Sequence, residues 1–232
     1  MSLEVTSIAF FGRTFDEYVR MFGLDPAGLT GRRIADVASG PSSFTAEARR
    51  RGLDAVGIDP LYGLPVETLA LHVRNDYAAM FAAMRRKESA FRFRFFPSID
   101  TAEASRRAAA ERFLADYEAG FLHDRYVGAA LPRLPFPEGA FDLVLCAHLL
   151  FIYSRRFDFA WHLRSCRELV RVSAGEVRIH PICGLDGRPY AGLDRLISEL
   201  DREGIAAAIR PVDYEFFAGS DTTLVLAAHK QF

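Results

Sequence analysis

The stretch that decides the fold is RRIADVASGPSSFTAEARRRG, residues 32–52. RRIADVA predicts a short buried strand, and SFTAEARRRG predicts a helix that ends at Gly52. LDAVGID follows as a second strand, which ends at Asp59. Two strands flanking one helix form a βαβ unit, because parallel strands need a right-handed crossover between them. The sequence therefore predicts an α/β protein.

The loop between this strand and this helix is made of small residues, so a ligand could approach its backbone closely. A dinucleotide loop of the hydride-transfer type would carry glycines at positions 38, 40 and 43. Only Gly40 is present, with Ala38 and Ser43 at the other two positions and Ser39 and Ser42 between them. The alternative is an ordinary helix-capping turn that binds nothing.

Two acidic residues favour a ligand site over a plain turn. Asp36 lies at the end of the first strand, where its carboxylate would repel a phosphate and suit a ligand that carries an ammonium group. Asp59 ends the second strand, and an acid about 20 residues downstream of such a loop commonly binds the two hydroxyls of a ribose. The alternative for Asp59 is the start of a surface turn, DPLYG. Asp36 and Ser43 disfavour a nicotinamide dinucleotide.

Two regions add helices to this unit. Residues 1–30 are predicted to be an N-terminal helical cap, with apolar residues at helical spacing in 13–23. Residues 63–124 are predicted to be a helical insertion within the domain. Its second helix is expected to be capped by Asp100 with Glu103 as the capping-box partner. FRFRFF, residues 91–96, predicts a short strand or extended lid with alternate phenylalanines on one face, namely Phe91, Phe93 and Phe95.

The second half of the chain completes the sheet. RYVGAAL is predicted to be the third strand, and FDLVLCAHLLFIY, residues 141–153, is a nearly continuous apolar strand. A helix over 156–171, a strand and another helix follow, and AGSD (218–221) is predicted to join the last two strands as a hairpin. The fold predicted for residues 1–232 is one doubly wound, mostly parallel seven-stranded domain with a C-terminal antiparallel hairpin. Ligands bind such sheets outside the carboxyl ends of the strands.

Composition narrows the classes of function. The chain has 232 residues, 50% hydrophobic residues and a formal net charge of −1. Nothing in that charge draws the chain to a membrane surface, and FRFRFF alone is thin support for nucleic-acid binding. No apolar run reaches the roughly 18 residues of a membrane span. The first residues lack the features of a signal peptide.

The three cysteines, Cys146, Cys166 and Cys183, are too few and too widely spaced for a disulfide framework. His180 and Cys183 are not joined by a second ligand pair, so no zinc pattern is present. We expect a cytoplasmic protein without a structural metal, and the sequence leaves the oligomeric state open.

IADVASGPSSF, VGIDPLY and LPRLPFPEGAFDLVLCAHLLFIY resemble the successive motifs of class I S-adenosylmethionine-dependent methyltransferases. More narrowly, the pattern D-x-x-x-G-P-x-S-F resembles uncharacterised bacterial members of that family. The resemblance covers about 32–61 and 125–182 and implies a Rossmann-like methyltransferase fold with S-adenosylmethionine as cofactor. The usual D-x-G-x-G-x-G of the family is replaced here by Asp36, Ala38, Gly40 and Ser42.

The resemblance implies a role for each matching residue. The first loop, with Asp36, would hold the methionine moiety, and Asp59 would hold the ribose. An acid that often holds the adenine amine after the third strand is missing here. The residues implied to contact the cofactor are Asp36, Ala38, Ser39, Gly40, Asp59, Pro60, Leu61, Ala129, Ala130, Leu131, Cys146 and Ala147. In the preceding helix, Arg13 or Tyr18 would hold the carboxylate of the cofactor.

His148 and Tyr153 are the candidate catalytic residues. A histidine near the methyl group could remove a proton from a hydroxyl or amine acceptor, or it could only hydrogen-bond a neighbouring loop. Tyr153 could close over the substrate or simply pack. The leading prediction is methyl transfer to a small molecule. The alternative is a non-catalytic binding or regulatory protein that kept the fold, because the loop is altered and the adenine acid is absent.

Overall fold

The computed structural model describes residues 8–228 as a seven-stranded sheet with the strand order β3-β2-β1-β4-β5-β7-β6. Strands β1 to β5 run parallel to one another, and β7 is antiparallel to both β5 and β6. This confirms the predicted fold class. The strands are β1 (Arg33–Val37), β2 (Asp54–Asp59), β3 (Tyr126–Gly128), β4 (Phe141–Ala147), β5 (Ser173–His180), β6 (Ile205–Pro211) and β7 (Thr222–Ala228).

Six α-helices cover the two faces of the sheet between residues 8 and 228. The first four contribute side chains to the hydrophobic core on one face, and the last two contribute to the core on the other face. A sheet covered on both faces explains why β4 is apolar along most of its length. The helices are α1 (Phe15–Met21), α2 (Phe44–Arg50), α3 (Val66–Arg85), α4 (Ile99–Leu122), α5 (Phe159–Arg171) and α6 (Leu193–Arg202).

The N-terminal segment lies directly against the first loop. Helix α1 begins with a capping box formed by Thr14 and Glu17. Before it, Gly12 approaches the loop so closely that a Cβ atom there would lie 2.2 Å from the backbone of Pro41. Residues 1–7 of the predicted cap lie outside the described residues. The assignment of the whole chain to one domain stays a prediction.

The insertion contains α3 and α4, but the predicted cap of α4 is wrong. Ser98 caps this helix because its backbone is extended and its hydroxyl accepts a hydrogen bond from the Thr101 N–H at 3.1 Å. Asp100 and Glu103 instead each lie 2.6 Å from Nη2 of Arg85. These two carboxylates therefore join α4 to the end of α3.

The FRFRFF segment does not form the predicted phenylalanine face. Phe91 and Phe96 are buried, whereas Phe93 is 39% exposed. The chain bends here because it packs against the segment after β6, where the Arg92 N–H donates to the carbonyl of Phe216 at 2.9 Å. The predicted AGSD hairpin is also too short, since β6 ends at Pro211 and β7 begins at Thr222.

The fourth strand is shorter than predicted. It ends at Ala147, because His148 adopts a left-handed backbone conformation with a φ of 54°. Within residues 8–228 no helix is long and apolar enough to cross a bilayer. The same part of the chain contains no group of three or more His, Cys, Asp or Glu side chains that could hold a metal ion.

Candidate functional site

Two adjoining cavities lie at the carboxyl ends of β1, β2 and β4. We call the larger one, of about 380 Å³, the outer cleft and the smaller one, of about 80 Å³, the inner chamber. The outer cleft has a volume within the range of about 300–1,000 Å³ that is usual for ligand pockets. Both cavities occupy the position where sheets of this topology bind ligands. Residues that line both are Ile8, Ala9, Ala38, Asp59 and Leu149.

The outer cleft contains the residues that the sequence predicted on the adenosine side. Asp59 ends β2, and its Oδ1 accepts a hydrogen bond from the Leu61 N–H at 3.0 Å. The stretch after β3 contributes apolar and backbone surface without an acid. The predicted residues that line the cleft are Asp59, Pro60, Leu61, Ala129, Ala130 and Leu131, together with Ala38 of the first loop.

Two stacked aromatic rings form another wall of the outer cleft. The rings of Phe157 and Trp161 are nearly parallel, with centroids 3.7 Å apart. Asp158 caps α5 between them, because its Oδ1 accepts a hydrogen bond from the Trp161 N–H at 2.6 Å. This pair was not predicted from the sequence, although Trp161 is the only tryptophan of the chain. A flat apolar surface of this kind suits a purine or another planar ring.

Three backbone N–H groups of the first loop already donate hydrogen bonds within the protein. The Gly40 N–H donates to Oδ2 of Asp59 at 3.0 Å, and the Ser39 N–H donates to the carbonyl of Ile58 at 3.1 Å. At the start of α2, the Ser43 N–H donates to the carbonyl of Arg13 at 3.1 Å. A dinucleotide loop leaves such donors free for the pyrophosphate. The hydrogen bonding therefore supports the prediction against a nicotinamide dinucleotide.

The shape of the loop explains the positions at which small residues occur. Ala38 and Gly40 both have positive φ angles, of 57° and 55°. Glycine adopts this conformation at the least cost, so Ala38 retains the geometry with some strain. Tyr62 fixes the loop from below, because its hydroxyl donates to the carbonyl of Gly40 at 2.6 Å.

Asp36 lies behind the wall of the site rather than in it. Its carboxylate is fully buried, lines neither cavity, and accepts hydrogen bonds from Tyr18 at 2.9 Å and from Ser39 at 2.6 Å. Burial raises the pKa of Asp36 to about 7. Cys146 is likewise fully buried and lines neither cavity. The structure therefore does not bring these two predicted residues into the cavities.

Asp59 is the acid at the wall shared by the two cavities. Burial also raises its pKa, to about 6, although the N–H groups of Leu61 and Gly40 oppose this rise by stabilising the carboxylate. At neutral pH the carboxylate is ionised. Each of its oxygens already accepts one backbone hydrogen bond and retains capacity for a further donor.

The inner chamber brings together most of the other predicted residues. The cofactor candidates among them are Arg13, Tyr18, Ala38, Ser39, Gly40 and Ala147, and both catalytic candidates, His148 and Tyr153, are also present. Arg13 forms no ion pair with a carboxylate within the described part of the chain, and its buried Nε has no hydrogen-bond partner there. Such an unpaired donor is costly unless a ligand satisfies it.

His148 is held at the start of the turn that follows β4. Its backbone N–H donates to the carbonyl of His180 at 2.6 Å, and its Nδ1 has no partner among residues 8–228. Burial, together with the positive charges of Arg13 and of the other basic groups nearby, holds its pKa well below the usual range. The imidazole is therefore neutral at physiological pH and can accept a hydrogen bond.

Tyr153 is largely buried and attached to the N-terminal segment. Its hydroxyl oxygen accepts a hydrogen bond from the Ala9 N–H at 3.1 Å. Ala9 lines both cavities, so this bond fixes the segment that separates them from solvent. The contact agrees with the packing alternative for Tyr153, and its hydroxyl has one lone pair left for a donor.

A residue of the insertion that sequence reasoning missed also lines the inner chamber. Arg106 of α4 is fully buried, and its Nη2 lies 2.6 Å from Oε1 of Glu17 in α1. Tyr214 completes this group, because its hydroxyl donates to Glu17 at 2.6 Å. An arginine on the apolar side of a helix, facing an acid far away in sequence, carries no local signal that would identify the pair.

The fold defines this molecule as a Rossmann-like α/β protein with a mostly parallel seven-stranded sheet. No family model matches the chain. An uncharacterized protein of Methanocaldococcus jannaschii, MJ0045, is 31% identical over 225 residues, which cover 97% of this chain and 98% of that protein. The chain belongs to the family of that archaeal protein. A narrower place among bacterial methyltransferases is not supported by this match.

Solved structures show weaker similarity. A TehB-like S-adenosylmethionine-dependent methyltransferase from Corynebacterium glutamicum is 15% identical, with a TM-score of 0.46 and coverage of 86% of this chain and 81% of that one. The O-methyltransferase NcsB1 from neocarzinostatin biosynthesis, in complex with S-adenosylmethionine and a naphthoic acid, is 14% identical, with a TM-score of 0.47 and coverage of 90% and 51%. At these scores, the similarities imply nothing about the chemistry of this chain.

Proposed function

We propose that this protein binds S-adenosylmethionine and transfers its methyl group to a small molecule. One observation carries the proposal: the acid at the end of β2 and the apolar residues after β3 line a single cleft beside the first loop. In that loop the N–H groups of Ser39, Gly40 and Ser43 already donate within the protein, and the acid at the cavity wall is Asp59. A nucleoside with a cationic side chain fits this arrangement better than a dinucleotide does.

The residues of both cavities fit the parts of this cofactor. In the outer cleft, Asp59 would accept hydrogen bonds from the ribose hydroxyls, and the adenine would stack beside Phe157 and Trp161. This stacking would take the place of the missing adenine acid. In the inner chamber, the unpaired Nε of Arg13 would donate to the carboxylate of the methionine part.

The cofactor, when bound, supplies a methyl group on a positively charged sulfur. The remaining task of the protein is to position an acceptor in line with that methyl group, and positioning contributes most of the catalysis in such a displacement. His148 is neutral and has a free ring nitrogen at the inner chamber. It would accept a hydrogen bond from the hydroxyl of the methyl acceptor, orient the attacking oxygen and take up the proton that this oxygen releases when it is methylated.

The test of the cofactor is ligand binding to the full chain. Thermal unfolding should shift upward with S-adenosylmethionine and S-adenosylhomocysteine but not with NAD, since a ligand that binds only the folded state stabilises it. Because Trp161 is the only tryptophan, its fluorescence should change with the same ligands. Absence of both signals at millimolar ligand would contradict the proposal.

A non-catalytic binding protein is the second candidate function. The lowered pKa of His148 favours it, because a histidine that binds a proton weakly is a poor general base. The two candidates differ in turnover: the enzyme should release S-adenosylhomocysteine in a mixture of small metabolites, and the binding protein should not. Identification of one small molecule that the protein methylates would establish that it is an enzyme.

The same proposal includes the expected location and partners. Cys146, Cys166 and Cys183 are free and buried, which supports a reducing compartment such as the cytoplasm. The inner chamber is small, which supports a small-molecule acceptor over a macromolecule. A membership among bacterial methyltransferases would be tested by whether bacterial relatives share the D-x-x-x-G-P-x-S-F pattern.

A further inference from the structure

Arg106 belongs to a buried group whose hydrogen bonds are incompletely satisfied. Its Nε and Nη2 donate to Oε1 of Glu17 at 3.0 and 2.6 Å, and Nη2 also lies 3.0 Å from the hydroxyl of Tyr214. The other oxygen of Glu17 accepts a hydrogen bond from the Thr14 N–H at 3.1 Å. Both oxygens of Glu17 therefore already accept hydrogen bonds, and the carboxylate contacts the guanidinium only through Nε and Nη2.

The third nitrogen of this guanidinium is left without a partner. Nη1 of Arg106 is buried and has no hydrogen-bond acceptor among residues 8–228, although the residue lines the inner chamber. A buried N–H group of a charged side chain that lacks an acceptor is costly, so native structures rarely contain one without a partner. Because Arg106 lines the inner chamber, a ligand in that chamber is the candidate for the missing acceptor.

The surroundings of Arg106 limit the ligand further. The guanidinium lies over the ring of Phe216, with its carbon 4.0 Å from the ring centroid. Other apolar side chains of the insertion line the same chamber, including Met80, Met84 and Phe91. Asp59 lies at the wall shared with the outer cleft, whereas Arg106 lines only the inner chamber. These neighbours favour an apolar body that carries one anionic group.

We propose that the inner chamber binds the methyl acceptor and that this acceptor is a small apolar hydroxy acid in its carboxylate form, whose hydroxyl oxygen takes the methyl group and gives its proton to His148. Nη1 of Arg106 donates to the carboxylate, and the aromatic and methionine side chains contact the rest of the molecule. One free guanidinium nitrogen suits a carboxylate, whereas a phosphate dianion would need more donors. The assignment rests on the proposed function, because it leaves Arg13 to the cofactor.

The test measures binding of simple probes to the full chain saturated with S-adenosylhomocysteine. The probes are benzoate and butyrate, with benzamide and butyramide as their uncharged counterparts, measured by calorimetry. We expect at least one carboxylate to bind tenfold or more tightly than its amide. If neither carboxylate is preferred over its amide, or if both displace S-adenosylhomocysteine, the proposal is wrong. Displacement would assign Arg106 to the carboxylate of the cofactor.

A conservative variant tests the role of Nη1 itself. Arg106→Lys keeps a cation for Glu17 but lacks the third nitrogen, so carboxylate binding should weaken about tenfold or more while S-adenosylhomocysteine binding changes less than twofold. The matched control is Arg107→Lys, because Arg107 is the next residue of α4 and pairs with Glu103 at the surface. Unchanged carboxylate binding by a folded Arg106→Lys protein would overturn the proposal.

Two measurements separate this proposal from the one on which it rests. If S-adenosylhomocysteine does not bind, the cofactor proposal fails, and the comparison of carboxylate with amide on the ligand-free protein still tests the anion site. If Arg106→Lys does not fold, the same comparison on the wild-type protein decides the question without the variant.

Discussion

The outer cleft and the inner chamber differ in how their surfaces are made. The outer cleft is built from strand ends and apolar side chains, with Asp59 as its one ionised group, and its aromatic pair is half-buried. The inner chamber is walled by side chains from the N-terminal segment and the insertion, and its arginines are buried beside a neutral histidine. The surface of the outer cleft is mainly apolar, whereas charged side chains organise the inner chamber. Substitutions should therefore affect the two regions differently.

The largest effect is expected where the inner chamber depends on a buried ion pair. Glu17→Gln removes the charge that Arg106 faces and should destabilise the protein by about 3–5 kcal/mol, because it leaves a buried cation uncompensated. Chemical denaturation measures the free energy of unfolding. The control is Arg20→Ala in the same helix, whose ion pair with Asp213 is exposed and should contribute less than about 1 kcal/mol. Equal losses in the two variants would contradict this account of Glu17.

The next effect is a dependence of stability on pH that comes from Asp36. Its pKa is raised from 3.8 to about 7, so the folded protein holds a proton that the unfolded chain releases between these pH values. Stability should therefore fall as the pH rises through this window. Asp36→Asn should stabilise the protein by up to about 4 kcal/mol at pH 8 and flatten most of this slope.

The free energy of unfolding, measured from pH 4 to pH 8, checks the prediction for Asp36. The smaller rise in the pKa of Asp59, to about 6, should leave a residual slope in the variant. A variant whose stability falls with pH as steeply as that of the wild-type protein would show that Asp36 is ionised throughout.

A smaller effect is expected at the wall that both cavities share. Asp59→Asn removes the charge. Its amide NH2 group also faces one of the two backbone N–H groups that now donate to the carboxylate, so two donors meet there. Binding of S-adenosylhomocysteine should weaken roughly 30-fold, and binding of 5′-methylthioadenosine by the same factor, since both contain the ribose. Calorimetry on a variant shown to be folded measures both constants. Loss of only one ligand would place the ribose elsewhere.

The smallest effect should separate the inner chamber from the outer cleft. Arg13→Gln should weaken the binding of S-adenosylhomocysteine about tenfold, because one charged hydrogen bond is lost. The binding of 5′-methylthioadenosine should change less than twofold, because that ligand lacks the carboxylate. Stability should change little, as Arg13 forms no ion pair with any described carboxylate. If the binding of both ligands weakened equally, Arg13 would not be the residue that holds the carboxylate.

The predictions from sequence succeeded where neighbouring residues contain the information. Hydrophobic runs and turn residues placed the strands and helices in the right order, and parallel strand ends brought Asp59 beside the residues after β3. Predictions about the hydrogen bonds of single side chains were less reliable. Ser98 rather than Asp100 caps α4, because the helix begins two residues earlier than the predicted cap would require. Asp36 was predicted to face the ligand, but Tyr18 and Ser39 occupy its carboxylate.

The amino-acid pattern alone predicts the sheet, the loop of small residues and the acid at the end of β2, because each follows from periodicity or from contacts between adjacent segments. The inner chamber, in contrast, arises only from packing between distant parts of the chain. Arg106, Glu17 and Tyr214 come from three distant parts of the chain, and their hydrogen bonds form only when the insertion packs on the N-terminal helix. Which nitrogen of a buried arginine is left unpaired depends on that packing, and so does the ligand that this nitrogen can bind.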